Sequence, residues 1–152
     1  MSTTGSDPDL VAGPAVDRHV VSLGFDLRAA RAARRHLTGC AAGWDVPAAL
    51  VDALMLVLTE LVTNAVRHGR APVQVALTRT VTHVCLDVED AGESDRLQHA
   101  LDEPHEQSAD LEGGRGLTIA AALSDSLTCV PLPGAGKRVR AAFACSFDTQ
   151  SS

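Results

Sequence analysis

Several things are scarce in this sequence, and each scarcity excludes something. Aromatic residues make up only 3%, so no interleaving of aromatic and basic residues suggests stacking on nucleic-acid bases. The formal net charge is −6, and no global excess of positive charge draws the chain to nucleic acid or to an anionic membrane. The four cysteines, Cys40, Cys85, Cys129 and Cys145, are widely separated, with no C-x-x-C and no cysteine–histidine pair at metal-ligand spacing. They read as small apolar side chains kept reduced in a cytoplasm. No apolar run approaches the roughly 20 residues of a spanning helix. The opening M-S-T-T-G-S-D-P-D-L lacks the basic and apolar regions of a secretion signal.

What is present is an ordinary globular composition, 45% hydrophobic and 21% charged, with the apolar content supplied by Ala, Val and Leu. At 152 residues it suits one domain around one core. Residues 1–17, rich in Ser, Thr, Gly, Asp and Pro, read as a flexible tail. Residues 18–148 read as the domain and 149–152 as a disordered end. His19–Leu23 is a short strand. Asp26 suits the N-cap of a first helix, Leu27 to Ala42, stopped by Gly43. Leu27, Ala30, Ala33, Leu37 and Ala41 form its apolar side; Arg28, Arg31, Arg34 and Arg35 form a basic one.

Asp45 suits the N-cap of a second helix, with Pro47 in its first turn, running to His68 and ended by Gly69. Leu50, Ala53, Leu54, Val57, Leu58, Leu61 and Ala65 recur at helical spacing. On the same helix Glu60, Asn64 and His68 are four residues apart, so they share one stripe. Val73, Val75 and Leu77, then Val84, Leu86 and Val88, alternate as the two strands of a hairpin turning at Arg79–Val81. The alternation stops at Asp90. Ala91–Gly113 has no clean period and is acidic, as expected of a lid or binding loop. Gly113–Leu117, G-G-R-G-L, opens a short helix to Leu123. Ser126–Val130 is a strand, Pro131–Gly136 a turn and Lys137–Phe147 a final strand. This order predicts an α+β two-layer sandwich, with a mixed, mostly antiparallel sheet and the helices on one face.

Singly, these residues have plain structural readings: a solvated helix face, a turn aspartate, a glycine turn. Together, E-L-V-T-N-A-V-R-H-G at Glu60–Gly69, D-A-G at Asp90–Gly92 and G-G-R-G at Gly113–Gly116 resemble the GHKL ATPase superfamily. More closely, they resemble the small bacterial anti-sigma factors with serine/threonine kinase activity.

That resemblance implies ATP and Mg²⁺ as cofactors. It implies Glu60 as general base and Asn64 as a magnesium ligand through its side-chain oxygen. Asp90 would accept a hydrogen bond from the adenine amino group, with Gly92 letting backbone approach the base. Gly113, Gly114, Arg115, Gly116 and Leu117 would wrap phosphates. Arg67 and His68, at the end of the second helix, join the nucleotide-binding candidates, although His68 also suits the helix dipole.

The implied partners are a sigma factor and an anti-sigma-factor antagonist, contacted through Arg28, Arg31 and Arg35, with a homodimer as the assembly. The chain departs from the family pattern at Ser94, where a second glycine is common, and at Arg138, where a threonine often follows Gly136–Lys137. A nucleotide-binding, partner-switching module without turnover is the alternative.

Overall fold

The computed structural model describes residues 13–94, 97, 101 and 114–147. Its elements are β1 (Asp17–Leu23), α1 (Ala29–Gly43), α2 (Ala48–His68), β2 (Val73–Arg79), β3 (His83–Asp90), α3 (Gly114–Leu123), β4 (Ser126–Pro131) and β5 (Lys137–Ala144). The five strands lie in the order β1-β2-β3-β5-β4. The sheet expected to be mixed is antiparallel at every pairing. Two helices separate β1 from β2, whereas a parallel pair is normally joined by a single crossover element.

The alternation read from the sequence sets the two sheet faces. Val73, Val75, Leu77, Val84, Leu86, Val88, Val139, Ala141 and Phe143 join one core with Ala33, Leu37 and Ala41 of α1. The same core takes in Leu54, Val57, Leu58, Leu61 and Val62 of α2 and Leu117 and Ala120 of α3. Both layers of the expected sandwich are therefore present. Residues of opposite parity face away from the helices. There Cys85 and Ala142 make a small separate cluster, and the Arg140 guanidinium pairs with the buried Asp87 carboxylate at 2.6 and 2.7 Å. None of the four cysteines is in a disulfide; three are buried and Cys40 is half-buried.

The helix starts differ from expectation. Regular α1 begins at Ala29. Asp26 takes the Arg28 N–H on its side chain at 2.7 Å and the Ala29 N–H on its carbonyl at 3.2 Å, making a turn ahead of the helix. Leu27, expected on the apolar side, sits in that turn and is 80% exposed. Asp45 does not cap α2; it belongs to the end of α1. Its φ is +57°, its N–H bonds to the Ala42 carbonyl, and the Val46 N–H bonds to the Ala41 carbonyl. That pair of bonds is a Schellman closure with aspartate in the left-handed position that glycine usually takes. With Asp45 so engaged, Pro47 becomes the residue flanking α2, and its carbonyl receives the N–H groups of Leu50 and Val51.

Two further boundaries move. Val16 and Asp17, expected in the tail, are already tied to the sheet: the Val16 N–H bonds to the Arg79 carbonyl at 2.7 Å, and Asp17 opens β1. The Trp44 indole N–H then donates to Asp17 Oδ2 at 3.0 Å, fastening the end of α1 to β1. Within the segment read as a loop, Leu97 and Leu101 have helical backbone. Leu97 is 7% exposed in the core, with Leu101 packed against it. The remainder of the acidic lid, and Gly113, lie outside the described residues.

By length and composition α2 would pass for a membrane-spanning helix, contrary to the expectation that no apolar run comes close. Here its apolar stripe packs on the sheet, α1 and α3.

Candidate functional site

The site runs along about the last two and a half turns of α2 and has two ends. The first end is where α2 stops. Asp90 closes β3 and pairs in register with Lys137, which opens β5. Their parity is that of Val88 and Val139, so both side chains point to the helix side of the sheet, just past the apolar core. Both residues are 4% exposed. Asp90 Oδ1 accepts three hydrogen bonds: from the Gly92 N–H at 2.6 Å, from Lys137 Nζ at 2.9 Å and from the Arg70 N–H at 3.4 Å. Oδ2 accepts none among the described residues. The Ala91 N–H returns a bond to the Arg70 carbonyl at 2.8 Å, so the end of α2 and the end of β3 are held together.

This packing explains Gly69 and Gly92. A Cβ on Gly69 would lie 2.5 Å from Asp90 Cγ and 2.6 Å from the Ala65 carbonyl oxygen. One on Gly92 would lie 2.8 Å from Asp90 Oδ1 and 3.1 Å from Lys137 Nζ. Gly69 has a φ of −95°, open to any residue, so it is glycine for want of space.

The second end lies about two and a half turns back along α2, where α3 packs against it. Leu117 and Ala120 of α3 are buried in the core and fix that contact. The Glu60 carboxylate presses on the first turn of α3 so closely that a Cβ on Gly116 would overlap Glu60 Oε2. Gly114, Arg115, Gly116 and Leu117 are the first four residues of α3, so the helix itself provides no acceptor for their N–H groups. Such an end attracts anions. Asn64, half-buried, sits on α2 between the two ends.

The structure thus brings Glu60 to Gly116 and Asp90 to Gly92, with Asn64 between them. It leaves Arg67 and His68 exposed at the end of α2, with no hydrogen bond to the other candidates among the described residues. Arg28, Arg31 and Arg35 are exposed on α1, whereas Arg34 turns to donate to Thr59 Oγ1 of α2 at 3.2 Å. Ser94 is buried at 8% exposure. Three residues of the site escaped the sequence reading. Gly69 looked like a helix stop. Arg70 contributes only its backbone. Lys137 enters the sequence reading only as the lysine that precedes the departure at Arg138, although the two alternating strand series already place it on the same sheet face as Asp90.

Chemically, one end offers a buried carboxylate oxygen that can accept from an amino group. The other offers backbone donors for an anion, with a carboxylate able to take a proton and a carboxamide oxygen able to bind a hard cation. Asn64 is a single oxygen donor, which fits Mg²⁺ when phosphate and water oxygens complete its shell.

Comparison with curated protein sequences gives no match. Among solved structures, the fold resembles the crystal structure of the RsbU and RsbW domains of Rv1364c from Mycobacterium tuberculosis. The TM-score is 0.61 and the identity 20%, over 86% of this chain and 33% of that one. That likeness is one of fold, and this chain spans about a third of that chain's length. The sequence matches the histidine kinase-like ATPase domain over residues 23–143, and the chain belongs to that family.

Proposed function

We propose that the chain is a cytoplasmic, ATP- and Mg²⁺-dependent serine/threonine protein kinase that regulates a sigma factor by phosphorylating an anti-sigma-factor antagonist. The observation that carries this reading is that one helix carries Glu60 at an anion-binding end, against the start of α3, and Asn64 between it and an acceptor end at Asp90. From Glu60 to Gly69 that helix advances about 14 Å, a length suited to an extended nucleoside triphosphate.

Each residue has a defined task in this reading. Asp90 Oδ2 accepts from the adenine amino group. The first N–H groups of α3 hold phosphate oxygens, and the glycines there keep side chains out of the way. Asn64 holds Mg²⁺ through its side-chain oxygen, and the bound ion supplies neutralisation of phosphate charge. Glu60 orients the attacking hydroxyl and takes its proton. Its contact with Gly116, in the first turn of α3, supports this role.

The test is calorimetric titration with ATP and Mg²⁺ on wild type and Asn64→Ala. Wild type binds, and the variant loses the Mg²⁺-dependent part of its affinity. Wild type that binds no ATP sinks the reading. Binding without phosphorylation of any antagonist would leave partner switching without turnover as the function.

The exposed arginines of α1 suit an acidic protein surface better than nucleic acid, given the net charge of −6. Reversing charge at Arg31 and Arg35 weakens partner binding and leaves ATP affinity unchanged. Equal loss of both would mean that the variant is misfolded and that the surface assignment fails.

A further inference from the structure

We infer that Lys137 reads the nucleobase directly, donating to ring N1 of the adenine whose amino group Asp90 accepts. This rests on the proposed ATP-binding function and deepens it by assigning a specificity residue.

The argument starts from the buried ammonium. Lys137 comes from the first position of β5, and its side chain is 5% exposed. An ammonium carries three N–H donors and no acceptor. Its one hydrogen bond among the described residues goes to Asp90 Oδ1, at 2.9 Å. Two donors remain, and unpaired donors on a buried charge are costly. Gly92 packs closely on the pair: a Cβ there would come within 3.1 Å of Nζ and 2.8 Å of Asp90 Oδ1.

Asp90 supplies the other half. Its Oδ1 is saturated by Gly92, Arg70 and Lys137, and among the described residues Oδ2 remains as the single acceptor. The pair therefore presents one acceptor beside one donor. Adenine presents the complement on adjacent atoms of one edge, an N6 amino donor beside the N1 acceptor. Guanine turns two adjacent donors, N1–H and the N2 amino group, toward a carboxylate, and both oxygens are needed to take them. With Oδ1 occupied, the geometry favours adenine. Lys137 thus has two tasks, holding the Asp90 carboxylate in one orientation and contacting the base.

The experiment compares binding of ATP with 1-deaza-ATP, in which N1 is replaced by a C–H, and with inosine triphosphate. It uses the full chain with Mg²⁺ and the variant Lys137→Met. Wild type binds ATP at least about tenfold more tightly than 1-deaza-ATP, the size expected of a hydrogen bond from a charged donor. In Lys137→Met that preference falls to within about twofold, while the folded-state circular dichroism is retained. The double variant Asp90→Asn/Lys137→Met leaves no lone buried charge. It serves if the single variant does not fold, with the same collapse of the ratio expected.

Three results overturn the proposal. The first is equal binding of ATP and 1-deaza-ATP by wild type, a result that needs no variant. The second is a folded variant that keeps the wild-type ratio, which would leave Lys137 a partner of Asp90 alone. The third is a wild-type preference for inosine triphosphate, whose edge carries an N1–H donor and an O6 acceptor. In all three, ATP binding by wild type leaves the proposed function standing; no ATP binding at all removes both.

Discussion

Replacing Gly69 by alanine tests whether this glycine is there for space. The new Cβ would meet Asp90 Cγ and Oδ1 at 2.5 Å and the Ala65 carbonyl oxygen at 2.6 Å. One neighbour is helix backbone. The other is a carboxylate fixed by three donors, so neither yields as the end of a flexible side chain would. Overpacking of this kind costs about 1–3 kcal/mol. Pushing Asp90 off Lys137 would cost more, because it strands a buried charge. The backbone at the end of α2 therefore shifts, at about 2–3 kcal/mol. For a domain of this size that lowers Tm by about 4–12 °C.

Gly39→Ala is the matched control. Gly39 lies inside α1, and a Cβ there meets nothing within 4 Å. Alanine gains about 0.5–1 kcal/mol in a helix interior, which raises Tm by about 1–4 °C. Thermal unfolding followed by circular dichroism reads both, and ATP titration separates them further. Gly39→Ala keeps wild-type affinity, while Gly69→Ala weakens it because the end of α2, which donates the Arg70 N–H to Asp90, shifts. If Gly69→Ala kept both the wild-type Tm and the wild-type affinity, the packing argument around Asp90 would be refuted.

Gly116→Ala should separate stability from turnover. Its Cβ displaces only the Glu60 carboxylate, the free end of a flexible side chain, and alanine is the better helix former. Tm is unchanged or raised by a few degrees, while phosphoryl transfer falls at least about tenfold through the misplaced base; a fall in Tm of more than about 4 °C would contradict this. Burial pushes the Cys129 thiol up from 9.0 to about 11. Its neutral form is favoured in the fold, so its contribution to stability is complete below pH 9 and is lost as pH rises toward 11. In urea unfolding, wild type therefore loses stability relative to Cys129→Ala across that window. A pH-independent difference between the two would refute the assignment.

What the sequence determined by itself is what depends on near neighbours. The three-four spacing from Leu50 to Ala65 makes α2 a helix and puts Glu60 and Asn64 along one stripe. Period-two alternation makes β2, β3 and β5 and decides which side chains face the core. Gly69 ends α2 as its place in the sequence suggests. Errors arose where two local signals competed for one residue. Asp45 is a good N-cap by composition, yet it is drawn into the closure of α1, because burying Val46 against Ala41 requires the chain to turn there.

The tertiary structure alone decided what depends on register between distant strands. Asp90 and Lys137 are 47 residues apart, and no window of sequence joins them. Their ion pair exists because β5 lies beside β3 in one particular register. The same holds for Glu60 over Gly116, which requires α3 to dock on α2. Local conformational preference acts over a few residues and leaves its period in the sequence. The contacts that complete the site arise only when packed layers bring remote segments together, so they have no period to be read.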